Sequence, residues 1–357
     1  MNRPRIKRTK ELVTSGGDVY VLRPTEESDL RIEQPDAVAR ALLRALDGTR
    51  TAAELEQEFG AERVGEALAV LAGAELLDDA ADDQRVPART LARHDRQLRY
   101  FSEVGGTDVA PSEYQRRLRE ASVLMLGAGG LGSWASYALV CCGVGRLVLV
   151  DHDRVEESNF NRQILYRERD IGRVKVEAAA EALRAFDSEC EVVAHERRIE
   201  GVADARALVP GADIVVNSAD WPAHDIERWV NAACFEAGVP FITLSHSPPV
   251  GRVGPMYAPG ETGCFECQEA TYRERFPLYD ELVEQRRARP SPAATLGPVC
   301  AFVGGQVALE VVHRLTGLVR PATLGRSYVY DLRTMAVTHE DVPVVAGCPV
   351  CGGAAAG

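Results

Sequence analysis

The chain has 357 residues, a net charge of −12 and 46% apolar residues. The negative charge argues against a general nucleic-acid-binding protein, and the length predicts one large domain and one small one. The sequence shows neither a secretory h-region nor a long apolar stretch, so we expect a cytoplasmic protein that does not bind membranes.

The N-terminal part of the chain has the pattern of a small separate domain. Residues 1–10 are rich in basic side chains and are predicted to form a flexible arm. Residues 11–80 predict a winged-helix domain, with a strand at Val19–Leu22 followed by three amphipathic helices. A capping box at Thr51–Glu54 predicts the start of the second helix. The acidic side chains of these helices disfavour DNA as the ligand.

The segment Asp47–Leu55, D-G-T-R-T-A-A-E-L, resembles the PqqD-like peptide-recognition module known as the RiPP recognition element. Such modules bind the leader of a ribosomally made peptide by adding it as a strand to an exposed sheet edge. The alternative is a structural or dimerising appendage. Residues 81–92 are polar and acidic, and we predict that they link a domain at 1–80 to a larger one at 93–357.

A glycine motif dominates the larger domain. An apolar run at Val123–Leu126 is followed by G-A-G-G-L-G at Gly127–Gly132 and by a helical pattern. This order predicts a strand, a tight turn that approaches a phosphate, and a helix whose N-terminal amides face the anion. A second apolar run, Leu147–Val150, ends at Asp151, about 20 residues later, where an acid contacts a ribose in dinucleotide sites. The polar string S-N-F-N-R-Q at 158–163 favours a triphosphate over NAD or FAD.

Together with Asp151–Asp153 and Gly172–Lys175, these motifs resemble the ThiF/MoeB/HesA adenylyltransferases, relatives of the ubiquitin-activating enzymes. The resemblance covers the chain from Arg93 to the C-terminus. It implies an α/β fold with a Rossmann-like nucleotide-binding sheet of the ubiquitin-activating-enzyme type. It also implies that the protein uses ATP and Mg²⁺ to convert a carboxylate into an acyl-adenylate and pyrophosphate.

The resemblance assigns roles to the residues at matching positions. The expected nucleotide-binding residues are Gly127, Gly129, Gly130, Gly132, Asp151, Asp153, Asn159 and Gln163. The expected catalytic residues are Arg96, Arg162, Lys175 and Asp220. Arg96 lies in the string R-H-D-R-Q-L at 93–98, and in homodimers of this family the matching arginine reaches into the neighbouring active site. We therefore expect a homodimer, with the action of Arg96 in cis or in trans left open.

Asp220 follows an apolar strand pattern at Ile214–Val216. Ligands of open α/β sheets bind at the carboxyl ends of the strands, and Mg²⁺ prefers carboxylate oxygens together with phosphates and water. Asp220 is therefore predicted to bind magnesium, with Asp153 as the second candidate. The simpler interpretation of Asp220 is an N-cap of the next helix. Arg228 and Asn231 on that helix are interpreted as packing residues.

Two C-x-x-C pairs near the C-terminal half predict a tetrahedral zinc site. The predicted ligands are Cys264, Cys267, Cys348 and Cys351. Four thiolates leave no open coordination position, so the zinc is expected to be structural and to hold the C-terminal end on the body. Residues 276–298 resemble the family's crossover loop over the acyl-adenylate, and Cys300 is expected in the core.

The combined pattern predicts an enzyme that activates a carboxylate of a ribosomally made precursor peptide whose leader binds the N-terminal domain. Enzymes of microcin C7 and pantocin biosynthesis have this layout. One alternative is an adenylyltransferase that acts on the Gly-Gly tail of a ubiquitin-like sulfur carrier. Another is a catalytically silent protein that presents a leader peptide to partner enzymes, against which the intact Arg162, Lys175 and Asp220 argue.

Overall fold

The computed structural model describes residues 1–22, 30–106, 108–288 and 294–352. Two compact units divide the chain, Met1–Arg117 and Leu118–Gly357. The segment predicted as a linker, residues 81–92, contains most of a 3₁₀ turn at Ala80–Arg85 and the start of a helix at Ala88. Domain boundaries at residues 80 and 93 therefore stay a prediction from the sequence.

In its described residues, the N-terminal unit has four short strands, then three helices, then a fifth strand and two further helices. Its strands are β1 (Pro4–Ile6), β2 (Glu11–Ser15), β3 (Asp18–Leu22), β4 (Leu30–Ile32) and β5 (Leu77–Asp79). Its helices are α1 (Ala37–Ala45), α2 (Ala52–Phe59), α3 (Ala61–Gly73), α4 (Ala88–Val104) and α5 (Pro111–Glu120), the last of which crosses the division between the units. β2, β3 and β4 form an antiparallel sheet with β3 in the centre, and β1 pairs with β5. This sheet with three following helices is the arrangement that the sequence predicts.

Each helix after the small sheet buries one apolar side. Leu42, Leu55 and Leu71 are at most 1% exposed, and they form one core with the central strand β3. The predicted capping box is confirmed: Thr51 Oγ1 accepts from the Glu54 N–H (3.2 Å), and the Glu54 carboxylate accepts from the Thr51 N–H (2.7 Å). Local signals therefore located α2 correctly.

The prediction of a flexible arm at residues 1–10 is wrong. β1 is paired with β5, and Lys7 is only 3% exposed, with its Nζ donating to the Ser102 carbonyl at 2.5 Å. Arg5 donates to the Asp83 carboxylate at 2.7 Å, and Lys10 pairs with Glu103 at 2.5 Å. These basic side chains are ordered because residues 78–103 supply their acidic and carbonyl partners. The partners are far away in the sequence, so a local pattern does not indicate them.

The second unit is built on one large sheet. Its strands are β6 (Ser122–Leu126), β7 (Arg146–Asp151), β8 (Glu191–Glu196), β9 (Ile214–Asn217), β10 (Phe241–Ser247), β11 (Val250–Tyr257), β12 (Arg326–Asp331) and β13 (Ala336–Asp341). Its helices after α5 are α6 (Gly130–Cys141), α7 (Lys175–Phe186), α8 (Val202–Leu208), α9 (Asp225–Ala237), α10 (Phe265–Arg275), α11 (Tyr279–Ala288) and α12 (Gly297–Thr316). The fold is the α/β class predicted from the sequence.

The strand order is β13-β12-β11-β10-β9-β6-β7-β8. The five strands from β8 to β10 are parallel, and β11, β12 and β13 continue the sheet in antiparallel pairing. The chain passes from β6 to β7 and β8 on one side and then returns to β9 on the other side of β6. This reversal creates a crevice at the carboxyl end of β6, which is where open α/β sheets bind ligands.

The central parallel strands β6 and β9 are fully buried, as near-continuous apolar runs predict. One face of the sheet, which includes Leu126 and Val215, packs against Ile226 and Val230 of α9 and Phe265 of α10. Cys300, at the start of α12, is fully buried, which confirms its predicted core position.

The prediction of a crossover loop at 276–298 is partly wrong, because α11 occupies Tyr279–Ala288. Residues 289–293 lie outside the described residues.

Within the described ranges, helices long and apolar enough to span a membrane are absent.

Candidate functional site

The turn at Gly127–Gly132, called the glycine turn below, needs glycine for physical reasons. Gly127 has φ +89°, and an added Cβ would lie 2.9 Å from the Ser218 carbonyl carbon. A Cβ on Gly132 would lie 2.0 Å from the Gly127 oxygen. α6 begins at Gly130 with Gly129 as its N-cap. The glycines therefore bring the start of a helix close to the crevice, where its free amides attract an anion.

Asp151 holds the glycine turn in place. Its Oδ2 accepts from the Ala128 N–H at 2.7 Å, and its Oδ1 accepts from the Asp153 N–H at 2.8 Å. Each carboxylate oxygen has a second acceptor site, so a ribose hydroxyl can bind without breaking either contact. The predicted ribose ligand is thus also a positioning residue for the turn.

Two aromatic residues that the sequence analysis missed support the same turn. The hydroxyl of buried Tyr166 donates to the Ala128 carbonyl at 2.7 Å, and burial raises its pKa well above the usual value, so it stays a donor. Trp134 Nε1 donates to the Arg162 carbonyl at 3.0 Å. Tyr166 follows Gln163 by three positions, and this closeness to the polar string was the available signal.

Arg162 and Gln163 lie against the glycine turn, and their contact with a nucleotide stays a prediction. The Arg162 methylenes lie within 3.4 Å of where a Gly130 Cβ would stand, and its Nη1 donates to the Ser158 carbonyl at 2.7 Å. Gln163 is 5% exposed, and its Oε1 has no hydrogen-bond partner in the described protein. A guanidinium and an amide at the start of a helix suit phosphate oxygens.

Lys175 and Asp153 form an ion pair beside this turn. Lys175 Nζ lies 2.8 Å from Asp153 Oδ2, and the lysine side chain is only 8% exposed. Burial works to raise the pKa of Asp153, but the hydrogen bond and charge of Lys175 outweigh it and hold the pKa below the usual value. A phosphate in the crevice would compete with Asp153 for the ammonium group.

Asn159 has a structural task in the same loop. It is 4% exposed, and its Oδ1 accepts from the Glu156 N–H at 3.0 Å, capping a short 3₁₀ turn. The amide therefore shapes the loop that carries Arg162. A direct contact of Asn159 with nucleotide stays a prediction.

Asp220 lies on the exposed segment after β9. In the described residues, Asp151, His152 and Asp153 form a cluster whose possible metal-ligand atoms lie within 4.8 Å of one another. Asp220 is not part of this cluster. Magnesium in nucleotide sites is held by one or two carboxylates plus phosphates and water, so an isolated Asp220 fits that donor set.

His246 is another residue near the site that the sequence did not indicate. Its Nε2 is buried with no hydrogen-bond partner in the described protein. Burial, followed by the charge of Arg162, lowers its pKa, while Asp220 acts in the opposite direction. Arg162, Asp220 and His246 thus share one electrostatic environment at the carboxyl edge of the sheet.

Arg96 lies on α4 of the N-terminal unit and is exposed. His94, two residues earlier, is 5% exposed, and α4 departs from helical geometry there (φ −106°, ψ 16°). The role of Arg96 at the phosphates stays a prediction.

Four cysteines form the predicted cluster. The Sγ atoms of Cys264 and Cys348 are 3.5 Å apart, as are those of Cys267 and Cys351, and Cys264 and Cys267 are 3.9 Å apart. Thiolates bound at about 2.3 Å around a tetrahedral zinc stand about 3.8 Å from one another. The Val345 N–H also points at Cys267 Sγ (3.4 Å). The donors and spacing therefore fit zinc.

Helix α10, which carries Cys267, is held by two residues of α9 that the sequence predicts to be packing residues. Asn231 is fully buried, and its Oδ1 accepts from the Phe265 N–H at 3.0 Å, at the start of α10. Arg228 Nε donates to the buried Glu269 carboxylate at 2.9 Å. This confirms that both residues join α9 to α10.

A parallel sheet with a strand-order reversal, a glycine turn at that reversal and an acid on the next strand define a Rossmann-like nucleotide-binding protein. The chain belongs to the ThiF family, whose pattern matches residues 94–350.

Relatives of this family resemble the larger unit. The chain is 33% identical over 256 residues to the sulfur carrier protein ThiS adenylyltransferase of Escherichia coli (strain K12), covering 72% of this chain and 95% of that protein. It is 30% identical over 239 residues to the molybdopterin-synthase adenylyltransferase of the same strain, covering 67% and 90%. With these relatives and the site above, the chain is an ATP-dependent adenylyltransferase.

Solved structures match nearly the whole chain. E. coli MccB with ATP aligns with a TM-score of 0.77 and 24% identity over 99% of this chain and 100% of that one. The microcin C7 biosynthetic enzyme MccB in complex with N-formylated MccA aligns with a TM-score of 0.77 and 23% identity over the same shares. PaaA aligns with a TM-score of 0.74 and 25% identity over 94% of this chain and 99% of that one. These likenesses define the fold of both units.

Proposed function

We propose that this protein adenylates a carboxylate of a ribosomally made precursor peptide whose leader binds the N-terminal unit. The observation that carries the proposal is the extent of the structural match. MccB aligns with 99% of this chain, whereas the sulfur carrier protein adenylyltransferase aligns with 72% of it. The unit in front of the family region therefore has a counterpart in a protein whose structures include the peptide MccA.

The proposed reaction is an in-line displacement at the α-phosphorus of ATP. A substrate carboxylate oxygen forms the new bond, the bond between the α-phosphorus and the bridging oxygen breaks, and pyrophosphate leaves with the electron pair. A carboxylate is already ionised, so no general base is required, and catalysis consists of positioning and charge stabilisation. Amides of the glycine turn, Arg162 and Lys175 bind the phosphates, and Asp151 orients the ribose. Arg96 adds a further positive charge.

Asp220 is the residue proposed to hold magnesium, with Asp153 as the second candidate. The ion supplies charge neutralisation on the phosphates when it is bound. The four cysteines are proposed to hold a structural zinc, because their Sγ spacing fits a tetrahedral ion without rearrangement. We also propose a homodimer, in which Arg96 acts across the interface.

The leader is proposed to add to the free edge at β4 rather than at β2. Within the described residues, both edge strands pair with β3 alone, and Leu30 of β4 and Leu12 of β2 lie opposite the same residue, Val21. Leu30 and Ile32 pack partly against the core of the unit, whereas all five residues of β2 are exposed. An added strand beside β4 would extend that apolar face with alternate side chains.

The main experiment measures exchange of labelled pyrophosphate into ATP with the full chain, once with a leader-containing precursor peptide and once with a purified sulfur carrier ending in Gly-Gly. We expect exchange with the peptide and AMP as the product. Exchange with the carrier alone would favour the second candidate function, which the 33% identity to the ThiS adenylyltransferase supports. ADP formation would contradict adenylation.

Leader binding has its own matched test. Leu30→Ser is expected to weaken binding of a labelled leader peptide about tenfold or more, since one apolar contact and the edge register are lost. Leu12→Ser, on the opposite edge, is the control and should bind normally. The reverse result would move the leader to β2, and an unchanged affinity in both variants would end the strand-addition hypothesis.

The proposed homodimer is tested with Arg96→Ala and Lys175→Ala chains mixed in one dimer. If Arg96 acts in trans, one of the two sites in the mixed dimer keeps both residues, and about half of the site activity returns. If neither variant rescues the other, Arg96 acts within its own chain.

A further inference from the structure

A cavity of about 360 Å³ opens beside the nucleotide crevice in the second unit. Residues of β9, β10, β11, α9, α10 and α11 line it. Its inner wall is buried, since Asn217, Tyr257 and Gln268 are at most 7% exposed. Arg275 and Arg286 also line the cavity but are exposed, so they lie where it opens to solvent. We call these two arginines the cationic mouth of the cavity.

The buried end of the cavity lies one strand away from the glycine turn. Asn217 is paired with Leu126 on one side and with Thr243 on the other. The Ser218 N–H donates to the Leu126 carbonyl at 2.8 Å, so the end of β9 is tied to the residue before Gly127. Neighbouring strands are about 4.8 Å apart. A peptide that reaches the glycine turn through the cavity with its carboxyl end therefore has its preceding residues at the cationic mouth.

Most arginines on the elements around the cavity have acidic partners. The six elements that line it carry six arginines, and four of these form ion pairs. The pairs are Arg228 with Glu269, Arg252 with Glu340, Arg273 with Asp280 and Arg287 with Asp225. Each pair joins two different helices or strands, so these four arginines stabilise the packing around the cavity.

The cationic mouth consists of the two arginines that remain. Within the described part of the chain, neither Arg275 nor Arg286 forms a hydrogen bond or an ion pair. The charge of Arg275 reaches Glu340, but the hydrogen bonds of that carboxylate come from Arg252 at 2.6 Å and Tyr272 at 3.0 Å. The two guanidinium groups thus have no partner that explains them as part of the packing.

The other charges at the cavity do not offset the cationic mouth. Glu227 is the acid among the described lining residues, and burial raises its pKa to about 7, so it carries only part of a charge at neutral pH. Aromatic side chains such as Tyr257 and Phe265 form much of the wall. A cleft with low-dielectric walls and charges of one sign concentrates ligands of the opposite sign. Because the whole chain has a net charge of −12, this cationic mouth differs from its surroundings.

We propose that Arg275 and Arg286 bind acidic side chains of the substrate peptide, at positions that precede the residue whose carboxylate is adenylated. The substrate class is then a precursor with an acidic segment close to its reacting carboxylate. This inference rests on the proposed function, because it assumes that the acyl group belongs to a peptide. A guanidinium presents N–H donors in a planar fork that matches a carboxylate. Phe276, which lines the cavity and is 44% exposed, adds an apolar contact beside Arg275.

The test uses three acetylated hexapeptides that end in the same three alanines and begin with three Asp, three Asn or three Lys residues. Three consecutive positions place one charge at the cationic mouth in any register. Binding to the full chain is measured without ATP, from the rise in melting temperature with peptide concentration. At low salt, we expect the Asp peptide to bind about fivefold or more tightly than the Asn peptide, and the Lys peptide to bind least. The preference should shrink in high salt, because the arginines are exposed.

Variants connect this preference to the cationic mouth. Arg275→Gln and Arg286→Gln should each reduce the preference for the Asp peptide, and the double variant should remove it. The double charge reversal, Arg275→Glu with Arg286→Glu, should prefer the Lys peptide. Arg320→Gln is the matched control and should bind like the unaltered protein. Arg320 is also exposed and unpaired among the described residues, but it does not line the cavity.

Inorganic pyrophosphate is a further arm, because a guanidinium also binds phosphate. Stabilisation by pyrophosphate that is lost in the double Gln variant, without any preference for the Asp peptide, would assign the cationic mouth to phosphate and overturn the peptide assignment. Equal binding of the three peptides, no binding of any of them, or an unchanged preference in the double Gln variant would overturn it as well.

Pyrophosphate exchange with the leader-containing precursor tests the proposed function separately. Exchange with the precursor together with equal binding of the three peptides would refute the cationic mouth alone. A preference for the Asp peptide without any exchange would refute peptide adenylation and leave the anion site standing.

Discussion

The glycine turn and a cavity of about 360 Å³ lined by Asn217 and Glu227 lie near each other at the carboxyl edge of one sheet, yet their polar groups are arranged differently. At the glycine turn, Asp151 and Lys175 have protein partners that fix the loop. In the cavity, Asn217 and one oxygen of Glu227 have none in the described protein. The glycine turn is therefore held in shape by its own residues, whereas the cavity contains buried polar groups that the surrounding packing leaves unsatisfied.

The largest expected effect concerns the cysteine cluster at the start of α10, the helix that also lines the cavity. Cys348→Ser should lower the free energy of unfolding by more than about 4 kcal/mol, because metal-binding energy contributes directly to folding. Metal analysis and denaturant unfolding measure the two consequences. Cys141→Ser, on α6, is the control and should retain one zinc per chain. A Cys348→Ser protein with unchanged metal content and stability would disprove the zinc site.

The next effect acts on the glycine turn. Gly132→Ala places a Cβ 2.0 Å from the Gly127 oxygen, so the turn must open, at a cost of about 3 kcal/mol or more, and ATP binding should be lost. Gly305→Ala in α12 meets nothing within 4 Å and should leave stability unchanged or raise it by about 0.5–1 kcal/mol. Thermal unfolding and ATP titration test both variants. Normal ATP affinity in Gly132→Ala would show that the nucleotide does not depend on this turn.

A smaller effect is expected when the charge beside the turn is removed but the fold is kept. Lys175→Met should slow ATP–pyrophosphate exchange about 10²-fold, since one preorganised positive group is lost from the phosphates. Asp153→Asn releases the ammonium group from its partner and should slow exchange less. Steady-state rates for the two variants are compared at saturating ATP. A lysine variant with the full rate would assign the ion pair to stability alone.

The smallest effect is a pH dependence that belongs to the cavity. The usual pKa of a glutamate is 4.5, and that of Glu227 is raised to about 7, mainly by burial. The folded state therefore holds this proton more tightly, and the associated stability is present below about pH 4.5 and lost as the pH rises through 7. Glu227→Gln should thus gain stability relative to the unaltered protein at pH 8 but not at pH 4.

Chemical denaturation at the two pH values checks this sign. The groups whose charges reach Glu227 are His224, Asp220 and Glu269, and Glu227 in turn acts on Tyr257. Glu269 responds oppositely: burial raises its pKa, but bonds from His224, Arg228 and Tyr279 lower it to about 2. A pH-independent difference between Glu227→Gln and the unaltered protein would mean that Glu227 is solvated in the folded state.

Signals confined to a short stretch of sequence predicted their structures well. The glycine motif specified the turn and the start of α6, and the Thr51–Glu54 capping box specified α2. The two C-x-x-C pairs predicted a cluster that brings distant parts of the chain together. In each case steric limits, backbone hydrogen bonds or metal-ligand spacing act over a few residues, so the pattern is visible without the fold.

The wrong predictions involve partners that are remote in sequence. The basic N-terminal segment is ordered because β5 and α4 supply its strand and acidic partners. The segment predicted as a crossover loop contains α11, whose Tyr279 is buried through a contact with Glu269 of α10. The basic composition of the first segment and the resemblance of the second to a loop carry no information about a complementary surface elsewhere in the chain.

By itself, the sequence determined the class of the protein: the α/β nucleotide fold, the adenylyltransferase family and the residues of the glycine turn. Only the tertiary structure brought Asn217 and Glu227 to one cavity and tied Lys175 to Asp153. Sheet pairing places the end of β9 between the glycine turn and β10, and the packing of α9 then brings Glu227 to the same side. Burial without a partner is a property of that packing, which no local pattern of residues encodes.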